Sequence, residues 1–424
     1  MPLRRRALQA RSWRVPSLYA AAALVLAIVL PRLETHFFPS LRSTVSETAA
    51  LAMYSSIASG MIALTGIVFS LTFVMVQFSA TAYSPRLVLW IARDPIVSHA
   101  LGVFIATFLY AVGALAWVGR GTAGVPMVSA WIVVGFLLAS VGMFVALIER
   151  VAMLQINRML AFTGDQGRAV IDALYPPLGS LAGGATSPVK VEGSPTHTVI
   201  YQGRPLTVQA IDIARLITLA ERTRAVIEVG AAVGDTLAAS MPLMVVRGYR
   251  VPISERLLRA AIELGDERTF EQDPKYALRL LVDIAIKALS PAINDPTTAV
   301  QALDQIGDLL LRLSRRQLDI GVFRDAGGAV RVVIPFPSWD DFLRLAFDEI
   351  RSYGADSVQV MRRMNALLID LADAVPVGRR DALRDWQARL RRSIERHFDD
   401  PADQLDASLP DRQGLGVPRR RPAA

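Results

Sequence analysis

Four apolar stretches in the first 150 residues are long enough to set a membrane topology. They run from about Ser17 to Leu30, Leu51 to Ala80, Ile96 to Val118 and Val128 to Ile148. The first follows Arg4, Arg5, Arg6, Arg11 and Arg14 and so has the outline of a secretory leader. Pro31-Arg32-Leu33-Glu34 follows it, however, where a small-x-small cleavage site would stand, and an uncleaved anchor is expected. The second stretch is longer than a bilayer needs at about 1.5 Å per residue, so it must tilt, kink or protrude. Asp94-Pro95 announces the third as N-cap and first helical residue.

Charge orients these segments. Five arginines precede the first stretch and Arg86 and Arg93 lie between the second and third, against Arg32, Arg42 and Arg120 on the other side. The positive-inside preference then puts the N-terminus in the cytoplasm, and four spans return the chain there from Glu149-Arg150 onward. Both termini are expected to be cytoplasmic. Trp13, Trp117 and Trp131 fall near the expected interfaces, as aromatic belts do. The formal net charge of +8 comes almost wholly from arginine, since Lys190, Lys275 and Lys287 are the only lysines. Membrane orientation accounts for that charge without a nucleic-acid partner. The absence of cysteine excludes disulfides, thiolate nucleophiles, iron-sulfur clusters and Cys-ligated zinc.

The second stretch differs from its neighbours in carrying Ser55, Ser56, Ser59, Gly60, Thr65, Gly66, Ser70, Thr72 and Gln77. Ser59, Gly66, Ser70 and Gln77 are seven, four and seven residues apart and share one helical face, with Thr65, Thr72 and Ser79 as an adjoining row. One reading is close helix packing, which small and hydroxyl residues favour in lipid. The other is a water-filled path in a homo-oligomer, because polar groups are tolerated at bilayer depth where they meet water. No ionisable residue lies within the stretch, which argues against a proton relay and leaves a simple pore or packing.

Beyond the apolar half, residues 149–175 read as a helix ending at Tyr175-Pro176-Pro177, and the Gly/Ser/Ala/Pro-rich passage to Pro195 reads as a flexible linker and domain boundary. Thr196 to Ala210 alternates around Gly203-Arg204-Pro205 like a hairpin, and Asp212 to Arg224 is periodic like a helix. Ala225 to Val246 returns to strand character, broken at Gly234-Asp235. A small mixed α/β unit over 196–250 is therefore predicted. Val233 to Leu243 resembles the strand-turn-strand half of a biotinyl- or lipoyl-type barrel-sandwich domain. No lysine stands near that turn to carry such a group, so the resemblance implies shape alone.

Residues 251–398 read as mainly helical. Asp273-Pro274 opens a helix with Leu278, Leu281, Val282, Ala285 and Leu289 as its apolar stripe, and Arg279, Asp283 and Lys287 stand four apart on another face. Ser290-Pro291 stops it, because the residue before proline is pushed out of helical conformation. Asn294-Asp295-Pro296 starts the next helix, which carries Ala299, Leu303, Ile306 and Leu310. The break is first a corner whose chemistry is capping. Asn294, Asp295, Thr297 and Thr298 could also supply polar contacts for a ligand or a gating role, since amides at a helix N-terminus can hold an anion.

The run Ala288-Leu289-Ser290-Pro291-Ala292-Ile293-Asn294-Asp295-Pro296-Thr297-Thr298-Ala299, with the preceding Leu281 to Ala285, resembles the signature of the bacterial membrane proteins called domain-of-unknown-function family twenty-two fifty-four. Val76-Gln77-Phe78-Ser79 followed by Tyr83-Ser84-Pro85-Arg86, and the Gly234-Asp235 turn, resemble the same family. The resemblance covers nearly the whole chain. It implies an inner-membrane location and brings no catalytic residue, cofactor or substrate.

After a short strand at Val330 to Pro335, Ser338-Trp339-Asp340-Asp341 has a capping-box outline ahead of Phe342, Ala346 and Ile350. Helices are expected from about Asp356 to Val375 and from Arg380 to Phe398. The latter sets Leu383, Trp386, Leu390, Ile394 and Phe398 against a solvated face of Arg384, Arg389, Arg391, Arg392 and Arg396. Asp399 to Ala424 is expected to be a disordered tail.

His36, His99, His197 and His397 are scattered without metal-ligand spacing, and no phosphate-binding loop, dinucleotide fingerprint, nucleophile elbow or H-E-x-x-H occurs. Asp304 and Asp308 form an i, i+4 pair that reads as a solvated face. No enzyme, cofactor or metal is expected. The sequence thus describes an α-helical membrane protein with four transmembrane helices followed by a cytoplasmic α+β region. Two functions stand open. One is a homo-oligomeric ion or small-solute channel with Ser59, Gly66, Ser70 and Gln77 lining it and the soluble part gating it. The other is a membrane-anchored sensor or adaptor whose cytoplasmic half binds a ligand or protein.

Overall fold

The computed structural model describes residues 14–37, 45–82, 95–118, 125–152, 156–179, 194–248 and 252–417. The expected features at Trp13, Arg42, Arg86, Arg93, Arg120 and most of the 179–195 linker lie outside the described residues. The chain divides into an N-terminal unit ending at Gln155 and a C-terminal unit beginning at Ile156.

The N-terminal unit holds four helices, α1 (Arg14–Phe37), α2 (Glu47–Ala82), α3 (Pro95–Leu115) and α4 (Met127–Ala152), and all four are long and apolar enough to cross a membrane. Helix α1 outruns the expected end at Leu30, continuing through Pro31. Helix α3 packs against each of the other three. Its small residues permit the approach: a Cβ at Gly102 would stand 2.6 Å from Cδ2 of Tyr19, and one at Gly113 would stand 2.6 Å from Cβ of Ala27. Hydroxyl pairs join α3 to α4, Thr107 with Ser140 at 2.8 Å and Tyr110 with Ser129 at 3.0 Å. Glu34, in the Pro31-Arg32-Leu33-Glu34 run, is 5% exposed, and its carboxylate accepts from the amides of Val128 (2.9 Å) and Ser129 (3.2 Å). It therefore caps α4 from another helix, satisfying amides that a helix start leaves orphaned.

The C-terminal unit combines two sheets with a helical bundle. Its first described helix is α5 (Ile156–Leu174); of the helix expected over 149–175, residues 153–155 lie outside the described residues. Strands β1 (Pro195–Ile200), β2 (Leu206–Ile211), β3 (Val226–Val229), β4 (Thr236–Leu237), β5 (Pro242–Arg247), β6 (Ile262–Gly265), β7 (Val322–Arg324) and β8 (Val330–Val333) form a five-stranded sheet of order β1-β5-β3-β8-β7 and a three-stranded sheet of order β4-β2-β6. All pairings are antiparallel except β3 with β8.

The hairpin expected over Thr196 to Ala210 is therefore not formed. After β1, Tyr201 stays paired with the first sheet, donating its amide to Met241 and accepting from Ser240, and the chain then crosses to the second sheet. Helix α6 (Ile213–Thr223), capped by Asp212, and α7 (Glu255–Arg259) complete this part. Its core gathers Val199, Val208, Ile211, Leu216, Ile227, Leu243, Met244 and Val332. The Gly234-Asp235 turn joins β3 to β4, which lie in different sheets.

The bundle comprises α5, α8 (Pro274–Ala288), α9 (Pro296–Ser314), α10 (Trp339–Tyr353), α11 (Val358–Ala374), α12 (Arg380–His397) and α13 (Pro401–Ser408). Helix α9 packs against α5, α8, α10 and α11. The stripes named from periodicity are interior: Leu278, Leu281, Val282, Ala285, Ala299, Leu303, Ile306, Leu310, Phe342, Ala346 and Ile350 are all buried. Leu383, Trp386, Leu390 and Ile394 of α12 are buried too, opposite the exposed arginines. Residues 399–417, expected as a disordered tail, instead hold α13 and a packed segment. Asp400-Pro401 starts that helix as cap and first residue, and buried Asp411 accepts from the amides of Gln413, Gly414 and Gly416. The Asp400 cap and buried Asp411 thus outweigh the Pro/Gly/Arg composition.

Candidate functional site

Helix α2 is 36 residues long, about 54 Å at the standard rise. Its buried seam is Tyr54, Ala58, Met61 and Val68, set within the cores shared with α3. At 100° per residue, Ser59, Gly66, Ser70 and Gln77 centre about 140° around the helix from that seam. All four are exposed on the surface of the chain. A Cβ at Gly66 would meet nothing within 4 Å. The hydroxyls of Thr65 and Thr72 lie on the seam side and each donates to a carbonyl one turn back, Met61 and Val68, at 2.7 Å. The side chain of Ser79 lies outside the described residues. The polar stripe therefore turns away from the other described helices of the N-terminal unit.

The corner between α8 and α9 lies in the other unit. Its backbone closes on itself: the amide of Asn294 donates to Ser290 at 2.9 Å and that of Asp295 to Ala288 at 2.8 Å. Asn294 takes φ of +48°, a conformation asparagine tolerates better than most residues. Asp295 Oδ1 accepts from the amide of Thr298 at 3.1 Å and Oδ2 from its hydroxyl at 2.6 Å. Thr298 is buried, whereas Asn294 and Thr297 are exposed. Gln359 Nε2 reaches Thr297 Oγ1 at 3.5 Å and the carbonyl of Gly414 at 2.6 Å, so the C-terminal segment lies against this corner. Both carboxylate oxygens of Asp295 are spent on capping.

The neighbouring charges are paired. Arg279 reaches Glu349 through two bonds of 2.7 Å and also pairs with Asp283. The bonds to Glu349, then those to Asp283, hold its guanidinium above the usual arginine range. Asp304 pairs with Arg363 and Asp308 with Arg168, at 2.7 Å each. Among the described residues no three His, Cys, Asp or Glu gather as a metal site.

Two clefts in the C-terminal unit carry no local sequence signal. The larger, about 730 Å³, is lined by Trp339, Arg379, Gln317, Asp319, Asp340 and Asp381 among others. The Arg379 guanidinium stacks 5.2 Å from the Trp339 ring and donates to the carbonyls of Leu313 and Arg316 at 2.6 Å each. Burial lowers its pKa. The smaller cleft brings Tyr175 beside Asp273, from segments nearly a hundred residues apart in sequence.

A unit of four membrane-length apolar helices followed by a mixed α/β and helical unit defines a multi-pass membrane protein. A family model described as "Predicted membrane protein (DUF2254)" matches residues 9–370, and the chain belongs to that family. It is similar to uncharacterized proteins of Mycobacterium bovis and Mycobacterium tuberculosis, each 30% identical over 365 residues covering 82% of this chain and 68% of the relative. No solved structure matches it.

Proposed function

We propose that the protein is a homo-oligomeric channel of the bacterial inner membrane for ions or small solutes, with α2 helices from several copies lining the path and a cytoplasmic C-terminal unit gating it. The observation that carries this reading is the outward polar stripe of Ser59, Gly66, Ser70 and Gln77. Hydroxyl groups such as those of Ser59 and Ser70 at bilayer depth are costly against lipid tails, and a ring of copies gives them protein or water instead. The reading assigns the chain no catalysis and no cofactor.

Purified protein in planar bilayers should conduct, and Ser70→Leu or Gln77→Leu should cut or alter that conductance without changing the oligomeric state. A monomeric preparation that stays silent in every salt tested defeats the reading. The second reading, a membrane-anchored sensor or adaptor, is favoured by the cleft at Trp339 and Arg379, whose volume suits a small molecule. Replacing α1 to α4 by an unrelated anchor separates the two, since only an adaptor keeps its function.

A further inference from the structure

Three segments meet at one end of the helical bundle. Gln359 of α11 joins the α8–α9 corner to the C-terminal segment, reaching Thr297 Oγ1 and the carbonyl of Gly414. The α10–α11 turn lies against the same corner, since a Cβ at Gly354 would stand 3.2 Å from Cδ1 of Leu289. Each segment leaves large apolar side chains exposed: Ile293 by 42%, Tyr353 by 60%, Leu415 by 71% and Val417 by 70%. Pro291 and Ala292 of the corner are exposed too. Single exposed apolar residues are ordinary, but a group of them at one place marks an interaction surface.

Leu415 and Val417 are held in position. Asp411 is buried, and its carboxylate accepts from the amides of Gln413, Gly414 and Gly416, while the guanidinium of Arg362 donates to the carbonyl of Gly416. Gly414 is buried against α9, where a Cβ would run into Val300. It takes φ of +69°, and Gly416 takes +80°. These left-handed residues fasten the backbone to the bundle on either side of Leu415 and leave its side chain facing outward.

Charge points to the occupant. The described residues end at Val417, and the sequence continues Pro418-Arg419-Arg420-Arg421. Asp356 is the exposed carboxylate of the α10–α11 turn, and the three arginines outnumber it. Asp295 has both oxygens engaged in capping, and Arg412 is paired with Asp370. An apolar patch bordered by consecutive arginines suits anionic lipid, with apolar groups at the headgroup boundary and guanidinium groups on the phosphates. A bilayer is also at hand, because the C-terminal unit begins at Ile156, close in sequence behind the end of membrane-length α4 at Ala152. Tethering keeps a patch docked that would bind weakly from solution. We propose that this end of the bundle docks on the surface of an anionic bilayer, with Ile293, Tyr353, Leu415 and Val417 in the headgroup region and Arg419 to Arg421 against lipid phosphates. The inference stands apart from the channel reading, because it needs only a chain anchored in a membrane.

The chain has no cysteine, so a full-length protein with the single substitution Leu415→Cys, or Ser352→Cys beside Tyr353, can carry an environment-sensitive dye in nanodiscs. With phosphatidylglycerol in the disc, the dye should shift to the blue and be quenched by a spin-labelled lipid. In phosphatidylcholine alone it should report water. Leu257→Cys, exposed on α7 in the sheet part of the unit, should report water in both. Arg419→Gln, Arg420→Gln and Arg421→Gln together should weaken docking by about a hundredfold, the scale of three lost attractions to anionic lipid, and return the dye to water. High salt should act in the same direction. Dyes at 415 and 352 that report water in both lipids overturn the proposal. Shielding without lipid quenching also overturns it and assigns the patch to a protein surface such as a second copy. So does quenching that is equal at 257 or unchanged by the triple substitution.

Discussion

Gly230 shows how much a single position can demand. It sits just past β3, and a Cβ there would stand 2.6 Å from the carbonyl oxygen of Pro242 and 3.7 Å from that of Leu243, both backbone atoms of β5. Its own amide donates to Leu243 at 3.0 Å, fixing the two strands together. Because the obstructing atoms are backbone and cannot rotate away, Gly230→Ala should cost about 1–3 kcal/mol and lower the melting temperature. Gly60→Ala is the control: nothing lies within 4 Å of that Cβ, and the melting temperature should hold. Both are read by thermal unfolding of the detergent-solubilised chain. Glu34 makes the complementary point at this scale. Its partners are amides 94 and 95 residues away, so no local pattern marks it as a cap.

Among the elements, the α8–α9 corner is explained by capping. Asp273-Pro274, Asp295-Pro296 and Asp400-Pro401 each open a helix with the carboxylate accepting an amide and proline as first residue, and Pro95 opens α3. The corner is one instance of a device the chain uses repeatedly. Asp295→Ala should therefore lower stability by about 1 kcal/mol, and Asp295→Asn should restore most of it because asparagine caps nearly as well. Equilibrium unfolding measures both. Loss of function in Asp295→Asn at unchanged stability would point instead to a ligand or gating role for the corner. The same device was legible at Asp400-Pro401, where a composition rich in Pro, Gly and Arg argued for disorder. In the folded chain α13 and the segment after it pack beside Arg362, whose guanidinium donates to the carbonyls of Asp406 and Gly416.

For the whole molecule, the arginine distribution predicts a topology that is directly testable. Alkaline phosphatase fused within residues 38–46 should be active, reporting the periplasm, and fused within 83–94 or after 152 should be inactive. The reverse pattern would place the C-terminal unit outside and remove the cytoplasmic gate from the channel reading. A chain without cysteine also suits labelling, since a single cysteine at position 59 or 70 reports water, lipid or protein at the outward face of α2.

The sequence by itself determined the four membrane-length helices, the helix starts and the apolar stripes of the bundle. Each depends on residues within a turn or two of one another, or on the composition of one segment. Tertiary structure decided which side of α2 faces its own chain, because periodicity defines a face but not the neighbour it meets. It also decided that β1 and β2 join different sheets, that Glu34 caps a helix from afar, and that Tyr175 and Asp273 line one cleft. These outcomes depend on contacts between segments far apart in the chain, where local propensity carries no information about the partner.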